Sequence, residues 1–140
     1  MPTIIAYQKY IDPLITRELL LPVDAESNRL GTELATVDGI TYVCLPDGAV
    51  LPAGQPDEIA ASIIENVTLT ADQIATIKAA SPHVSLINQR VAEMIAAEYS
   101  MADEIKLLRT APSAEYEAYN AHAEACRAWG REEKAKLGLA

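Results

Sequence analysis

The chain has 140 residues, enough for one domain or for a small β unit followed by a helical unit. Its 20 acidic and 11 basic residues give a net charge of −9, which repels both a phosphate backbone and an anionic bilayer. The composition therefore argues against nucleic-acid and membrane partners, and no stretch approaches the ~18 apolar residues of a membrane span.

The amino terminus has no basic segment followed by an apolar run, so we expect a protein made in the cytoplasm. Cys44 and Cys126 have no C-x-x-C neighbour, and free thiols in a reducing compartment are the simplest interpretation, with one disulfide as the alternative. Phe is absent and Ala is abundant. Thin Ala-rich helices often complete their burial against a second copy, which suggests an oligomer.

The first 31 residues give weak signals. Thr3 to Tyr10 has the composition of an edge strand, and Ile15 to Leu21 fits either a strand or a single helical turn. The polar run from Asp24 to Asn28 predicts a loop.

A β-hairpin is the clearest prediction in the first half. Asp38-Gly39 lies between two runs rich in β-branched residues, Glu33 to Val37 and Ile40 to Leu45, and both turn residues tolerate the positive φ of a type I′ turn. Direct pairing places Val37 opposite Ile40 and Ala35 opposite Tyr42. After a second turn at residues 46–48, Ala49 to Leu51 is predicted as a short third strand of a meander.

Helix signals dominate the second half. After a linker at residues 52–56, residues 57–64 are predicted as a short helix, with an extended segment as the alternative. Four helix-capping residues follow, each before an apolar-periodic segment. The caps and their predicted helices are Thr70 with 71–80, Ser81 with 82–98, Ser100 with a segment ending by Thr110, and Ser113 with 114 to about 137. The predicted buried face of the helix at 82–98 consists of Val84, Ile87, Val91, Met94 and Ile95.

The longest helix carries acidic residues in its first turn and Lys134 and Lys136 in its last, as the helix dipole favours. Gly138 is a natural stop signal. The predicted inner face of this longest helix is Tyr116, Tyr119, Ala123, Cys126 and either Trp129 or Gly130. The sequence thus predicts an α+β protein, with a small β-rich attachment module at 1–55 and a helical oligomerisation or interaction unit of three to four helices at 56–140.

Few residues suggest catalysis. His122 and Cys126 stand four residues apart on one helix, where two metal ligands or a thiol–imidazole pair can meet, but the spacing supplies no third ligand and no oxyanion donor. Neighbouring carboxylates on the helices point apart, and the glycines do not form a phosphate-binding motif. We therefore predict no catalytic residue, no metal and no cofactor, with a small metal- or thiol-dependent enzyme as the alternative.

Aromatic residues are the candidates for an interface. Tyr and Trp combine an apolar body with a polar tip, and they anchor many protein–protein contacts, although core packing is their commoner role. The predicted interface residues are Tyr99, Tyr116, Tyr119 and Trp129 of the helical half and Tyr42 of the hairpin.

Several segments together resemble small proteins encoded in the tail regions of tailed bacteriophages and prophages. The segments are INQR at 87–90, Tyr99-Ser100, Asp103-Glu104-Ile105, Leu107-Leu108-Arg109, residues 116–119, and CRAWGREEK at 126–134. The resemblance spans roughly residues 56–139, and the hairpin sequence ELATVDGITYVCLPDGAVLP is similar to an attachment module of such proteins.

The resemblance implies a non-enzymatic role in the virion tail. The chain would be a small connector, or a fibre- or baseplate-associated component, with other tail proteins as partners and with self-association, most often as a trimer. The alternative is a tail-fibre assembly chaperone that is not retained in the virion.

Overall fold

The computed structural model describes residues 2–140 and has an α+β fold, as predicted. Antiparallel strands occupy the first third of the chain and helices the remainder. The strands are β1 (Thr3–Tyr7), β2 (Tyr10–Asp12), β3 (Ile15–Thr16), β4 (Thr32–Val37) and β5 (Ile40–Leu45). The helices are α1 (Asp57–Ala60), α2 (Ala71–Ala80), α3 (Pro82–Glu98), α4 (Met101–Arg109) and α5 (Ala114–Lys136).

The predicted hairpin is confirmed. Asp38 and Gly39 have φ angles of 52° and 80°, the left-handed pair that a type I′ turn requires. The register is also as expected, with Val37 opposite Ile40 and Ala35 opposite Tyr42, and an irregularity follows between Glu33 and Ala35.

The predicted third strand at Ala49 to Leu51 is wrong. The third strand of the sheet is β1, which pairs antiparallel with β5 from Thr3 opposite Leu45 to Tyr7 opposite Thr41. Because β5 is then central in the order β1-β5-β4, it has no free edge for a strand from residues 49–51. Ala49 and Leu51 instead pack against the core.

The outer edge of β1 is covered by the chain between α1 and α2. Ala6 and Ile64 exchange backbone hydrogen bonds of 3.0 and 2.8 Å, and the Val67 N–H donates to the Ile4 carbonyl at 2.8 Å. This pairing explains why α1 ends at Ala60 rather than at the predicted residue 64: Ile64 is held in extended backbone beside β1.

Both faces of the sheet are buried. Strand alternation sends Ile4 and Cys44 to one face, where they join Leu34, Ala35, Ile77, Val84 and Leu139 in a first core. It sends Ile5, Tyr7, Val43 and Leu45 to the other face, where they form a second core with Leu19 and Ile59. Each core contains residues from both sides of position 55, so the β-rich and helical parts of the chain are packed together.

The four capping predictions are confirmed. The side chains of Thr70, Ser81, Ser100 and Ser113 each accept a hydrogen bond from a backbone N–H in the first helical turn, and Thr70 and Ser100 form complete capping boxes. These bonds satisfy donors that the helix itself leaves free, which is why local sequence sets the helix starts so well.

Helices α3 and α5 form an antiparallel arm. Gly130 faces Ile87 and Val91, whereas His122 faces Met94 and Tyr119 faces Tyr99, so the chain rises along α3 and returns along α5. The predicted inner face of α5 is largely confirmed, because Tyr119, Ala123, Cys126 and Gly130 are buried while Tyr116 and Trp129 are half-buried. On α3, Val84 is buried and the other four predicted inner residues are half-buried.

The end of α5 is fastened to the sheet. Gly138 has a φ of 75°, and the N–H groups of Gly138 and Leu139 donate to the carbonyls of Ala135 and Lys134 at 2.9 and 3.0 Å. This Schellman arrangement turns the chain so that Leu139 enters the first core with no exposed surface. The arm therefore has one end in the core and the other, with α4, away from it.

Candidate interaction surfaces

Three of the predicted interface residues form one aromatic cluster where α3 ends and α5 begins. The rings of Tyr99 and Tyr119 meet edge to face, with centroids 5.0 Å apart and planes at 77°, and Tyr116 lies 6.4 Å from Tyr119. Tyr119 is only 8% exposed, whereas Tyr99 and Tyr116 are half-buried. Edge-to-face pairs stabilise by about 0.5–1.5 kcal/mol beyond their buried area, so this cluster fastens the two helices within the chain.

The other two predicted interface residues lie elsewhere. Trp129 is ten residues beyond Tyr119 on α5, a separation of about 15 Å along a helix. Tyr42 is on the central strand β5 and packs against the first core beside α2. Both are half-buried, and the five residues do not form a single surface.

His122 and Cys126 are neighbours on α5, as their spacing predicts. The His122 Nε2 atom lies 3.1 Å from the Met94 carbonyl oxygen and 3.6 Å from the Cys126 Sγ atom. A carbonyl accepts only, so Nε2 carries the hydrogen in this contact and has no lone pair with which to remove the thiol proton. Cys126 is itself 4% exposed. The arrangement links α3 to α5 and lacks the open nucleophile that thiol catalysis uses.

Metal ligands do not converge in the part of the chain that the structure describes. Among residues 2–140, no group of three or more His, Cys, Asp and Glu side chains is placed to hold a metal ion. His122 and Cys126 remain a pair.

An exposed apolar stripe on α4 is the main feature that the sequence prediction missed. Met101, Ile105 and Leu108 share one face of the helix and are 77, 49 and 59% exposed. Ile105 and Leu108 lie on the apolar side of this helix, yet α4 has no buried residue. The helix rests on α5 with a neighbouring side, where Leu107 is partly buried. Glu104 lies between Leu107 and the stripe and is also partly buried.

This stripe is presented on a well-formed helix. The Ser100 hydroxyl accepts from the Asp103 N–H, and the Ser100 N–H donates to the Asp103 carboxylate, both at 3.1 Å. The hydrogen bond from the Ser100 N–H stabilises the ionised carboxylate and holds the pKa of Asp103 below its usual value. A cavity of about 490 Å³, bordered by Tyr99, Lys106, Leu107 and Ser113, lies on the side of α4 away from the stripe.

A second apolar surface lies on the β2–β3 hairpin. Tyr10, Ile11, Leu14 and Ile15 are all exposed, and Leu14 is 94% exposed at the turn. The turn is ordered by the Asp12 carboxylate, which accepts from the N–H groups of Leu14 and Ile15 at 2.8 and 2.9 Å. Sequence patterns predicted a single element at Ile15 to Leu21, either a strand or a helical turn, and did not identify this hairpin.

Comparison of the chain with protein-family models, with curated proteins and with solved structures found no match. The helices formed by residues 2–140 include none with the length and apolar character that crossing a membrane requires. The geometry of the surfaces and the resemblance described above are therefore the grounds for a functional proposal.

Proposed function

We propose that this chain is a non-enzymatic structural protein of a bacteriophage tail, a small connector or a fibre- or baseplate-associated component that works by protein–protein assembly. The observation that carries the proposal is the exposed stripe of Met101, Ile105 and Leu108 on α4. An amphipathic helix whose apolar face is left in solvent is typical of a surface that a partner covers.

The position of the stripe supports a connector. Val84, near the start of α3, lies in the first core, and the end of α3 is 14 residues further along the helix, about 20 Å away. The α3–α5 arm thus carries α4 away from the sheet. A partner can cover the stripe without disturbing either core.

The β2–β3 hairpin offers a separate surface at the other part of the fold. It follows β1 directly and exposes four apolar side chains on a short, hydrogen-bonded turn. Two apolar surfaces, one on the sheet part and one on the arm, let a short chain hold two neighbours at once. Together with the resemblance to tail-region proteins, this favours a component that joins other tail proteins.

The proposal is tested on particles purified from the phage or prophage that encodes the chain. Mass spectrometry should find the chain in a fixed ratio to the other tail proteins. Absence from complete particles, combined with fibres that fail to assemble when the gene is deleted, would replace the virion role with that of an assembly chaperone. Complete and infectious particles without the gene would contradict both.

The same particles allow the surfaces to be tested separately. Leu14→Asp on the hairpin and Leu108→Asp on α4 should each lower incorporation strongly, because a buried carboxylate opposes contact with an apolar partner. Val50→Asp is the matched control, since Val50 is also apolar and 77% exposed but belongs to neither surface. Equal incorporation of all three variants would remove these surfaces from the proposal.

A further inference from the structure

The sequence of α4 fits one heptad of a parallel coiled coil. Met101, Ile105 and Leu108 are spaced four and three residues apart, which is the d-a-d spacing of a coiled-coil seam. All three are exposed in the monomer. The seam is therefore present without the helix that it would pack against.

The charged residues beside the seam match the same heptad. Glu104 directly precedes the a residue and occupies g, and Arg109 directly follows the second d residue and occupies e. In a parallel pair, the g residue of one helix faces the e residue of the next heptad turn in its partner, five positions further along. Glu104 and Arg109 are five positions apart, so each copy would offer both halves of this ion pair.

Neither charged group is paired with another described residue of the same chain. Among residues 2–140, the ion pairs and side-chain hydrogen bonds do not include Glu104 or the Arg109 guanidinium. An antiparallel pair would place Glu104 beside Glu104 of the other helix, and Arg109 beside the other Arg109. The charge pattern therefore favours parallel helices, in which both contacts are attractive.

We propose that α4 binds α4 of a second copy of this chain, as a parallel two-stranded coiled coil with Glu104 of each copy paired to Arg109 of the other. The β-branched Ile105 at a and Leu108 at d favour two strands rather than three. The dimer itself is argued from α4 alone. Its assignment to tail assembly rests on the proposed function.

The interface is small, and this sets the expected affinity. One heptad buries far less surface than a standard interface, although the capping box has already ordered the helix and so reduces the cost of binding. We expect a dissociation constant on the order of micromolar or weaker. Self-association should consequently depend on concentration, and the contact would be reinforced where tail partners bring two copies together.

Sedimentation equilibrium of the full chain over a wide concentration range tests the proposal. The wild type should shift from 15.1 kDa towards twice that mass. Glu104→Arg and Arg109→Glu should each weaken association about three- to tenfold, because each replaces attraction with repulsion on both edges of the seam. The double variant, and an equimolar mixture of the two single variants, should regain wild-type association. Leu108→Asp should abolish it.

Leu86→Asp is the matched control, because Leu86 is an exposed leucine on α3, outside the seam. Circular dichroism of every variant confirms that the helices persist. A wild type that stays monomeric or forms trimers, single charge variants that associate normally, or a mixture that is not restored would each overturn the proposal. None of these results decides whether the chain is present in virions, so the proposed function is tested independently.

Discussion

Gly130 of α5 and Val91 of α3 lie so close that a Cβ atom on residue 130 would stand 2.7 Å from the Val91 Cγ2 atom. Real Cβ atoms do not approach so near, so glycine sets the separation of the two helices. This contact lies along the arm between the first core and the aromatic cluster.

Gly130→Ala should therefore destabilise the protein. Overpacking costs about 1–3 kcal/mol, and the better helix propensity of alanine returns about 1 kcal/mol, so a net loss of about 1 kcal/mol is expected. Val91 cannot easily move aside, because its branched side chain has one favoured rotamer in a helix. Urea unfolding monitored by circular dichroism measures the change.

Two further variants make this prediction specific. Gly54→Ala should be nearly neutral, because nothing lies within 4 Å of the position of its added Cβ. In a Val91→Ala background, Gly130→Ala should lose its cost and show a favourable coupling energy. A Gly130→Ala protein as stable as the wild type would show that the helices can separate freely at this point.

Leu139→Ala should be among the most damaging single substitutions. Leu139 has no exposed surface and joins Ile4, Leu34 and Ile77 in the first core, so the truncation should cost about 2–5 kcal/mol. The infrared amide I signals of the sheet and of the helices should be lost in one transition, at a lower urea concentration than in the wild type. Leu14→Ala, at a position that is 94% exposed, should change stability by less than about 0.5 kcal/mol. Separate transitions of sheet and helices would contradict a shared core.

The sequence predicted what local chemistry determines. Ser100 and Ser113 set helix starts through hydrogen bonds to residues three positions away, and Asp38-Gly39 sets a turn through its own φ angles. Each of these signals lies within a few residues of the structure that it specifies. The bounds of α2 to α5 and the hairpin register were consequently correct, whereas α1 ends before its predicted residue 64.

Long-range pairing was not predictable in the same way. Nothing in Thr3–Tyr7 indicates that it pairs with β5, and that pairing is what excludes a strand at residues 49–51. The stripe on α4 was missed for a related reason. Periodicity identifies an apolar face but does not say whether the face meets this chain or another one, and α4 rests on α5 with Leu107 and leaves Ile105 and Leu108 outside.

Tyr119→Ala should lower stability more than it lowers any assembly. The ring is 8% exposed and is held against Tyr99, so its removal should cost about 3–5 kcal/mol of unfolding free energy. Tyr119→Phe keeps the ring contact and should cost far less. Tyr116→Ala, at a half-buried position, should fall between the two. Thermal unfolding ranks the variants, and light scattering of those that remain folded shows whether Tyr116 also acts in assembly.

The stability of the protein should fall as the pH rises above about 8.5, the ordinary pKa of a thiol in an unfolded chain. Burial raises the pKa of Cys44 in the folded protein. Below the unfolded-state pKa the thiol is neutral in both states, and the buried thiol contributes fully to the free energy of unfolding. Above it the unfolded thiol loses its proton while the folded one retains it. The unfolded state then binds fewer protons, so the free energy of unfolding falls by about 1.4 kcal/mol per pH unit until the folded pKa is reached.

Urea unfolding between about pH 7.5 and 10 measures this slope, and Cys44→Ala is the control. The alanine variant should start from a lower stability, because Cys44 is 4% exposed and its Sγ atom contacts the Lys136 carbonyl oxygen at 3.5 Å. The free energy of unfolding of this variant should nevertheless fall less steeply with pH between about pH 8.5 and 10. Burial also raises the pKa of Tyr7, so both proteins should lose further stability above about pH 10. Equal slopes in the two proteins below that pH would show that Cys44 ionises as easily in the folded chain as in the unfolded one.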